Sequence, residues 1–292
     1  AVLAWQWLSQ GDERQQAKGA LASLILLLAL AMMALAAWGV WRLWRRRIPP
    51  VEGIRRPQPR ALAGKSFALL LPLCGVACAL LLAAAAQNSQ PVHDSVGNSL
   101  WLGLCSAAIG AVICLLWLAL GPSRFGEWIW LPLILPALPL VDGQYQLALY
   151  TWLDGERLTV LWGHLLWVVP WMLFILRPAW RARDPRAELV ARTLGWQRGR
   201  IFWLVTLPAL TRPLLTALAV GFSVSIAQYL PTLWLGGGRV ATLTSEAVAL
   251  SSGGDTSTLA AQALWQLLLP ALFFAATALL AWLIGRYRQG LR

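Results

Sequence analysis

Apolar blocks of about 20 residues recur along this chain, separated by shorter polar stretches. Because a helix rises about 1.5 Å per residue, each block is long enough to cross the roughly 30 Å hydrocarbon core of a bilayer. The blocks are apolar on every face, which excludes the alternating pattern of β-barrel strands. We therefore predict an all-α, polytopic transmembrane helical bundle with seven spans, at residues 19–41, 66–87, 100–120, 127–149, 158–177, 213–235 and 262–285.

Basic residues are distributed unevenly between the loops. Of the 24 Lys and Arg residues, 20 lie in alternate loops and in the C-terminal tail, while only Arg14, Lys18, Arg157 and Arg239 fall in the others. Basic loops remain on the cytoplasmic side, so the first residues and the loops near 90, 152 and 250 are expected to face outward. The net charge of +12 is explained by this topology. No aromatic-interleaved basic motif indicates a nucleic-acid partner.

Cysteine, histidine and tryptophan add no catalytic chemistry. The four cysteines (Cys74, Cys78, Cys105 and Cys114) lie inside predicted spans, and the chain has only two histidines. We interpret the cysteines as small packing residues and predict no metal site and no cofactor. Many of the 19 tryptophans lie near span ends. Their amphipathic rings favour the membrane interface, so we expect membrane lipid as a partner.

A weak internal repeat suggests the domain organisation. The segment from Leu8 to Leu21 resembles the segment from Leu250 to Leu264, and both lead into an apolar span that ends in basic residues. We interpret residues 1–47 as the last span of a first repeat and residues 66–292 as a second repeat of six spans. Residues 48–65, rich in proline and arginine, are predicted to be a cytoplasmic linker.

The largest predicted cytoplasmic loop, residues 178–212, has internal order. After Asp184-Pro185, a helix is predicted over Ala187 to Leu194, ended or bent by Gly195, and a second short helix over Trp196 to Leu207. This loop resembles the coupling loop of permease subunits of ATP-binding-cassette (ABC) importers. The resemblance implies that the chain has the type I ABC importer permease fold. Ala191, Gly195, Val205, Leu207 and Pro208 match the family pattern, but Leu189-Val190 stand where the pattern has Glu-Ala, with Glu188 one position upstream.

The resemblance implies that a separate ATPase dimer supplies ATP hydrolysis and receives this loop. Residues 188–208 would then couple the permease to the ATPase, with possible contacts from basic and aromatic residues. The candidate coupling residues are Glu188, Ala191, Arg192, Gly195, Trp196, Arg198, Val205, Leu207 and Pro208. The resemblance to importer permeases also implies a periplasmic substrate-binding protein as partner and a location in the bacterial inner membrane.

Polar residues inside spans are candidates for the translocation path because they are costly in lipid. Ser225, Gln228 and Tyr229 are spaced to share one helix face, although a serine in a span often only bonds its own helix. Pro136 could line a cavity or merely kink a packed helix. The segment from Ser225 to Arg239 also resembles importers of ferric iron, thiamine and polyamines, with thiamine and ferric-iron permeases the most similar.

Two other function classes remain open. Gly64-Lys65-Ser66 resembles the end of a phosphate-binding loop, but Pro59 occupies the position of the first glycine, so ATP hydrolysis by this chain is not expected. A membrane-bound enzyme would need convergent titratable groups, which His93-Asp94 and a solitary His164 do not supply. A secondary transporter would operate without an ATPase. We predict no catalytic residues.

Overall fold

The computed structural model describes residues 13 to 45, 62 to 121 and 126 to 287. Helices dominate these ranges, which contain no strand, and the all-α prediction is confirmed. The ten helices of seven residues or more are α1 (Glu13–Arg45), α2 (Leu62–Ala85), α3 (His93–Leu120), α4 (Ala137–Tyr150), α5 (Arg157–Arg181), α6 (Pro185–Thr193), α7 (Thr211–Ile226), α8 (Leu230–Gly236), α9 (Leu243–Ser251) and α10 (Thr256–Tyr287).

Fewer helices than expected are long and apolar enough to span a membrane on their own. Within the described ranges α3, α5 and α10 qualify, and a fourth span is obtained if the segment Arg198–Ala209 is joined to α7 across a 74° bend. α1 and α2 contain the shorter apolar stretches Ala31–Val40 and Pro72–Ala85. The prediction of a multi-span helical bundle is confirmed, and the described ranges supply three continuous helices and one bent pair toward its predicted seven spans.

Two of the predicted spans are broken at prolines. In the block 127–149, Leu135 is extended with ψ of 149°, and α4 begins only after Pro136. A proline disfavours helical backbone in the residue before it, which accounts for this break. In the block 213–235, α7 ends at Ile226 and α8 begins at Leu230. Pro231 has no N–H to donate to the carbonyl of Ala227, so an unbroken helix would lack that bond.

The core lies between α3, α5 and α7, which pack directly on one another. Cys114 of α3 and Met172 of α5 have no solvent-exposed surface there, and Ala217 of α7 completes the contact. On the other side of α7, Phe222 stacks on Phe273 of α10 with ring centroids 4.3 Å apart. The buried Cys114 thus fills core volume, whereas Cys74 and Cys78 of α2 are exposed.

The two sides of the bundle differ in how much of each helix is covered. In the most apolar 18-residue stretch of each helix, 44% of the stretch in α3 and 56% of that in α5 is buried, but only 6% of that in α10. The apolar side chains of α1 are also exposed, including Leu28 and Leu35. Helices with this composition require lipid or another apolar segment around them. The structure therefore has a packed centre and apolar outer helices.

At the predicted outer end, side-chain hydrogen bonds join the segment after α2 to the start of α10. Asp255 accepts a hydrogen bond of 2.6 Å from the Thr258 hydroxyl and one of 2.9 Å from the Ser257 hydroxyl. These bonds, that of Thr258 first, lower the pKa of the Asp255 carboxyl. Ser257 also donates to the carbonyl of Asn88, and Gln90 N–H donates to Thr258.

Part of the predicted domain organisation falls outside the described residues. These include residues 1–12 and 46–47 of the proposed first-repeat span and residues 48–61 of the proposed linker. The remaining linker residues 62–65 already belong to α2, so the helix begins earlier than the linker prediction placed it.

Candidate functional site

The helix α6 forms where the loop prediction placed one, and its two ends are set by the local sequence. Asp184 precedes it and its carboxylate accepts a hydrogen bond of 2.9 Å from Arg186 N–H, while Pro185 occupies the first turn. Gly195 has a positive φ of 77°, which only glycine adopts without strain. Its N–H donates to the carbonyl of Arg192 over 2.9 Å, so α6 closes at this glycine.

Glu188 connects α6 to the chain on both sides. Its Oε1 accepts a hydrogen bond of 2.7 Å from Arg183 Nη1 and one of 3.1 Å from the hydroxyl of Thr206. Arg183 in turn lies over the ring of Trp180, with its guanidinium carbon 3.6 Å from the ring centroid. Glu188 therefore fixes α6 relative to the end of α5 and to the segment that returns to the membrane.

The second half of the loop is not the single helix predicted over Trp196 to Leu207. It contains a short helix at Arg198–Ile201, a wider π-turn at Phe202–Thr206 and a last helical turn at Leu207–Ala209. In the π-turn, Leu207 N–H donates to the carbonyl of Phe202, five residues back. Val205, Leu207 and Pro208 are half-buried within this segment.

The side chains of α6 divide into an inner and an outer face. Ala191 is buried, with 4% of its surface exposed, whereas Leu189, Val190 and Leu194 are exposed by 59%, 59% and 67%. The two residues that depart from the family pattern thus lie on the outer face. Trp196 is half-buried beneath Arg200, whose guanidinium carbon lies 4.7 Å from the ring centroid.

A second group of polar side chains lies in the centre of the bundle, around His164 of α5. His164 is only 1% exposed, and both ring nitrogens face hydroxyl groups. Nδ1 lies 2.8 Å from Ser225 Oγ on α7, and Nε2 lies 2.9 Å from Thr232 Oγ1 on α8. Ser225 extends the group with a 3.3 Å hydrogen bond to Ser106 of α3. Four helices thus contribute to one buried polar network.

Gln228 joins this network from the break between α7 and α8. Its Nε2 donates to the backbone carbonyl of His164 over 3.1 Å, and its backbone carbonyl accepts a hydrogen bond from Thr232. Among the residues that the structure describes, its side-chain oxygen is buried without a hydrogen-bond partner. Buried acceptors are normally paired with protein groups or water, so this oxygen can accept a further hydrogen bond.

Close packing at Gly163 brings α8 next to the network. A Cβ atom at this glycine would overlap Leu235 Cδ1 and would lie 3.3 Å from Pro231 Cβ. Leu235 is itself fully buried. The absence of a side chain at Gly163 therefore lets α8 approach α5 closely enough for Thr232 to reach His164.

The four candidate translocation-path residues have different surroundings in the structure. Ser225 and Gln228 converge on His164, but they do so because the helix breaks between them and not along a continuous helix face. Tyr229 is half-buried immediately before α8, and Pro136 is half-buried before α4. Neither side chain takes part in the described hydrogen bonds of the network.

His164, Ser106 and Thr232 were missed by the sequence analysis. The interpretation of His164 as a solitary residue was wrong, since two hydroxyls contact its ring. Its partners lie 61 and 68 positions away along the chain. The available signal was that His164 is an ionisable residue inside a predicted span. In the described ranges, no three His, Cys, Asp or Glu side chains cluster as metal ligands.

Comparisons with known proteins agree with this architecture. Residues 66–288 match the family described as binding-protein-dependent transport system inner membrane component. Over all 292 residues the chain is 58% identical to an Escherichia coli (strain K12) protein named inner membrane ABC transporter permease protein YnjC. The chain spans 57% of the length of that relative.

Proposed function

Because the chain belongs to the family of binding-protein-dependent transport system inner membrane components, we propose that it forms part of a translocation path driven by a separate ATPase. It is an ABC transporter permease and a multi-pass protein of the inner membrane. The proposed partners are an ATP-binding-cassette ATPase dimer and a periplasmic substrate-binding protein. ATP hydrolysis would take place on the ATPase and not on this chain.

The observation that carries the coupling proposal is the construction of α6. Glu188 holds this helix to Arg183 and Thr206, while Val190 and Leu194 remain exposed on its outer face. A short helix that is fixed at its base and apolar on its free side suits insertion into a groove of another protein. We propose that the candidate coupling residues of segment 188–208 either contact the ATPase or hold α6 in position for that contact.

A hydrogen bond and the continuous backbone connect α6 to α7, and this connection supports the coupling proposal. Thr206, bonded to Glu188, belongs to the segment Arg198–Ala209, which leads through Leu210 into α7. At its far end α7 carries Ser225 and is followed by Gln228 at the helix break. Closure of the ATPase dimer would move α6 and shift α7, switching the path between outward and inward access.

For the path itself, we propose that Ser225, Gln228 and Tyr229 border the route of the solute, with Pro136 at the neighbouring break. The unpartnered side-chain oxygen of Gln228 supports this assignment. The proposed substrate is a thiamine-like molecule or ferric iron, on the resemblance of the segment from Ser225 to Arg239. Uptake of each radiolabelled compound by cells with and without the permease tests the substrate, and ligand analysis of the partner binding protein identifies it.

The coupling proposal is tested by co-purification of the ATPase with the double variant Val190→Asp/Leu194→Asp. Two charges on the outer face of α6 should reduce the retained ATPase by about tenfold or more, because apolar contacts at an interface centre dominate its affinity. The control Leu153→Asp changes another exposed leucine, in the loop between α4 and α5, and should retain the ATPase.

Two results would reject the proposal. If the double variant retains the ATPase as well as Leu153→Asp does, the outer face of α6 is not the contact. If purified protein in vesicles transports solute with no ATPase present, the chain belongs to a secondary transporter. ATP hydrolysis by the permease in the absence of other subunits would instead favour the membrane-enzyme alternative.

A further inference from the structure

An open pocket of about 380 Å³ lies between α6 and the cytoplasmic ends of the spanning helices. Its wall combines residues from four parts of the chain: Ala119, Trp180, Arg183, Arg192, Arg198 and Phe202. Thr206 and Glu188, which are bonded to each other, also border it. This volume falls within the range of small-ligand sites.

The pocket is strongly basic for its size. Three arginines and one carboxylate border it, and the carboxylate of Glu188 is already paired with Arg183. In the described part of the chain, Arg192 and Arg198 have no acidic group within 4.0 Å. Two uncompensated guanidinium groups beside one cavity favour an anion between them, and guanidinium geometry suits phosphate oxygens best.

The position of the pocket indicates where the anion comes from. Ala119 lies in the last turn of α3 and Trp180 in the last turn of α5, so these residues mark the cytoplasmic end of two spanning helices. Phe202 and Trp180 supply aromatic surface beside the arginines. Basic pockets at this depth, between spanning helices, match the phosphate and glycerol of an anionic lipid headgroup.

We propose that this pocket binds the phosphate group of an anionic phospholipid of the cytoplasmic leaflet. The exposed outer face of α6, with Leu189 and Val190, remains available to a protein partner while Arg192 holds the lipid on the other side. The lipid would fix the height of α6 relative to the membrane surface. The proposal requires the predicted orientation of the protein in the membrane, and it reassigns Arg192 and Arg198 from the ATPase contact to the lipid.

The test measures lipid binding directly. The full chain is purified in detergent, supplied with phosphatidylglycerol or phosphatidylcholine, and analysed by native mass spectrometry at increasing lipid concentration. The double variant Arg192→Gln/Arg198→Gln should weaken phosphatidylglycerol binding by about thirtyfold, which corresponds to about 1 kcal/mol for each of the two basic groups near an anionic lipid. The matched control Arg186→Gln/Arg200→Gln removes two exposed arginines of the same loop that lie outside the pocket and should leave binding unchanged.

Each contrary result overturns a defined part of the proposal. Equal losses in the two double variants would mean that lipid is attracted by the overall charge of the loop and not by the pocket. Displacement of phosphatidylglycerol by millimolar inorganic phosphate would assign the site to free phosphate. Equal affinity for phosphatidylcholine would exclude an anionic headgroup. If R192Q/R198Q loses the ATPase but keeps phosphatidylglycerol, the pocket contacts protein and the lipid assignment fails.

Discussion

The loop that carries α6 and the buried network around His164 are both polar sites, but they are built in opposite ways. In the loop, Glu188 bonds residues 5 and 18 positions away, and its side chain remains 30% exposed. In the network, His164 bonds residues 61 and 68 positions away and has almost no exposed surface. One site is local and open to solvent, whereas the other is assembled from distant segments and buried.

This difference determines how much each contact contributes to stability. A half-exposed ion pair gains little because water and salt screen it. A buried hydroxyl or ring nitrogen that loses its partner has no water to replace it. We therefore expect substitutions in the network to affect the folded bundle strongly, and substitutions in the loop to affect mainly the local order of α6.

The largest effect is expected for His164→Leu. This change leaves the hydroxyls of Ser225 and Thr232 without their ring partner, which should lower the free energy of unfolding by about 2 kcal/mol. Denaturant unfolding in detergent micelles measures this value. The control His93→Leu alters the other histidine of the chain, which is exposed at the start of α3. A loss for His164→Leu no larger than that of the control would contradict the comparison.

Next in size is Gly163→Ala, which tests the close approach of α8 to α5. The added methyl group would overlap the buried Leu235, so we expect a loss of about 1–2 kcal/mol in the free energy of unfolding. Gly143→Ala in α4 is the matched control because no atom lies within 4 Å of its added Cβ. Since alanine favours helix over glycine, the control should be neutral or slightly stabilising.

In the loop, Gly195→Ala is expected to loosen α6 and leave the bundle intact. No atom lies within 4 Å of the added Cβ, so the penalty of about 1 kcal/mol comes from the left-handed backbone alone. Hydrogen exchange of the α6 amides should become roughly fivefold faster, because about 1 kcal/mol corresponds to that factor. Gly199→Ala, also in open space but without a positive φ, should leave exchange unchanged.

The smallest effect is expected for the Glu188–Thr206 contact. A double-mutant cycle with Glu188→Ala and Thr206→Val should give a coupling energy of about 0.5 kcal/mol, since Glu188 is only partly buried. The coupling energy is calculated from the thermal unfolding of the purified wild type, the two single variants and the double variant. A coupling energy as large as the effect of His164→Leu would remove the distinction between the solvent-exposed loop and the buried network.

The same contrast explains what could be predicted from the sequence. Asp184-Pro185 and Gly195 act within one turn of chain, so the two ends of α6 were predictable to within two residues. The apolar blocks likewise indicated a helical membrane protein. The network was not predictable, because the contact of His164 with Ser225 and Thr232 depends on how α5, α7 and α8 pack. Pro136 indicated a possible kink in its span, but the break after Ile226 was missed, because composition records apolarity and not continuity.

The bend at Leu210 makes the segment Arg198–Ala209 a lever arm on α7. Leu210 is fully buried between the segment Arg198–Ala209 and α7, which meet at 74°. The segment has 12 residues and is roughly 18 Å long at about 1.5 Å per residue. A tilt of about 10° at this elbow would thus carry its free end by about 3 Å. Because Glu188 bonds this segment to α6, the coupling proposal expects a displacement of α6 to rotate α7, which ends beside the polar centre of the bundle.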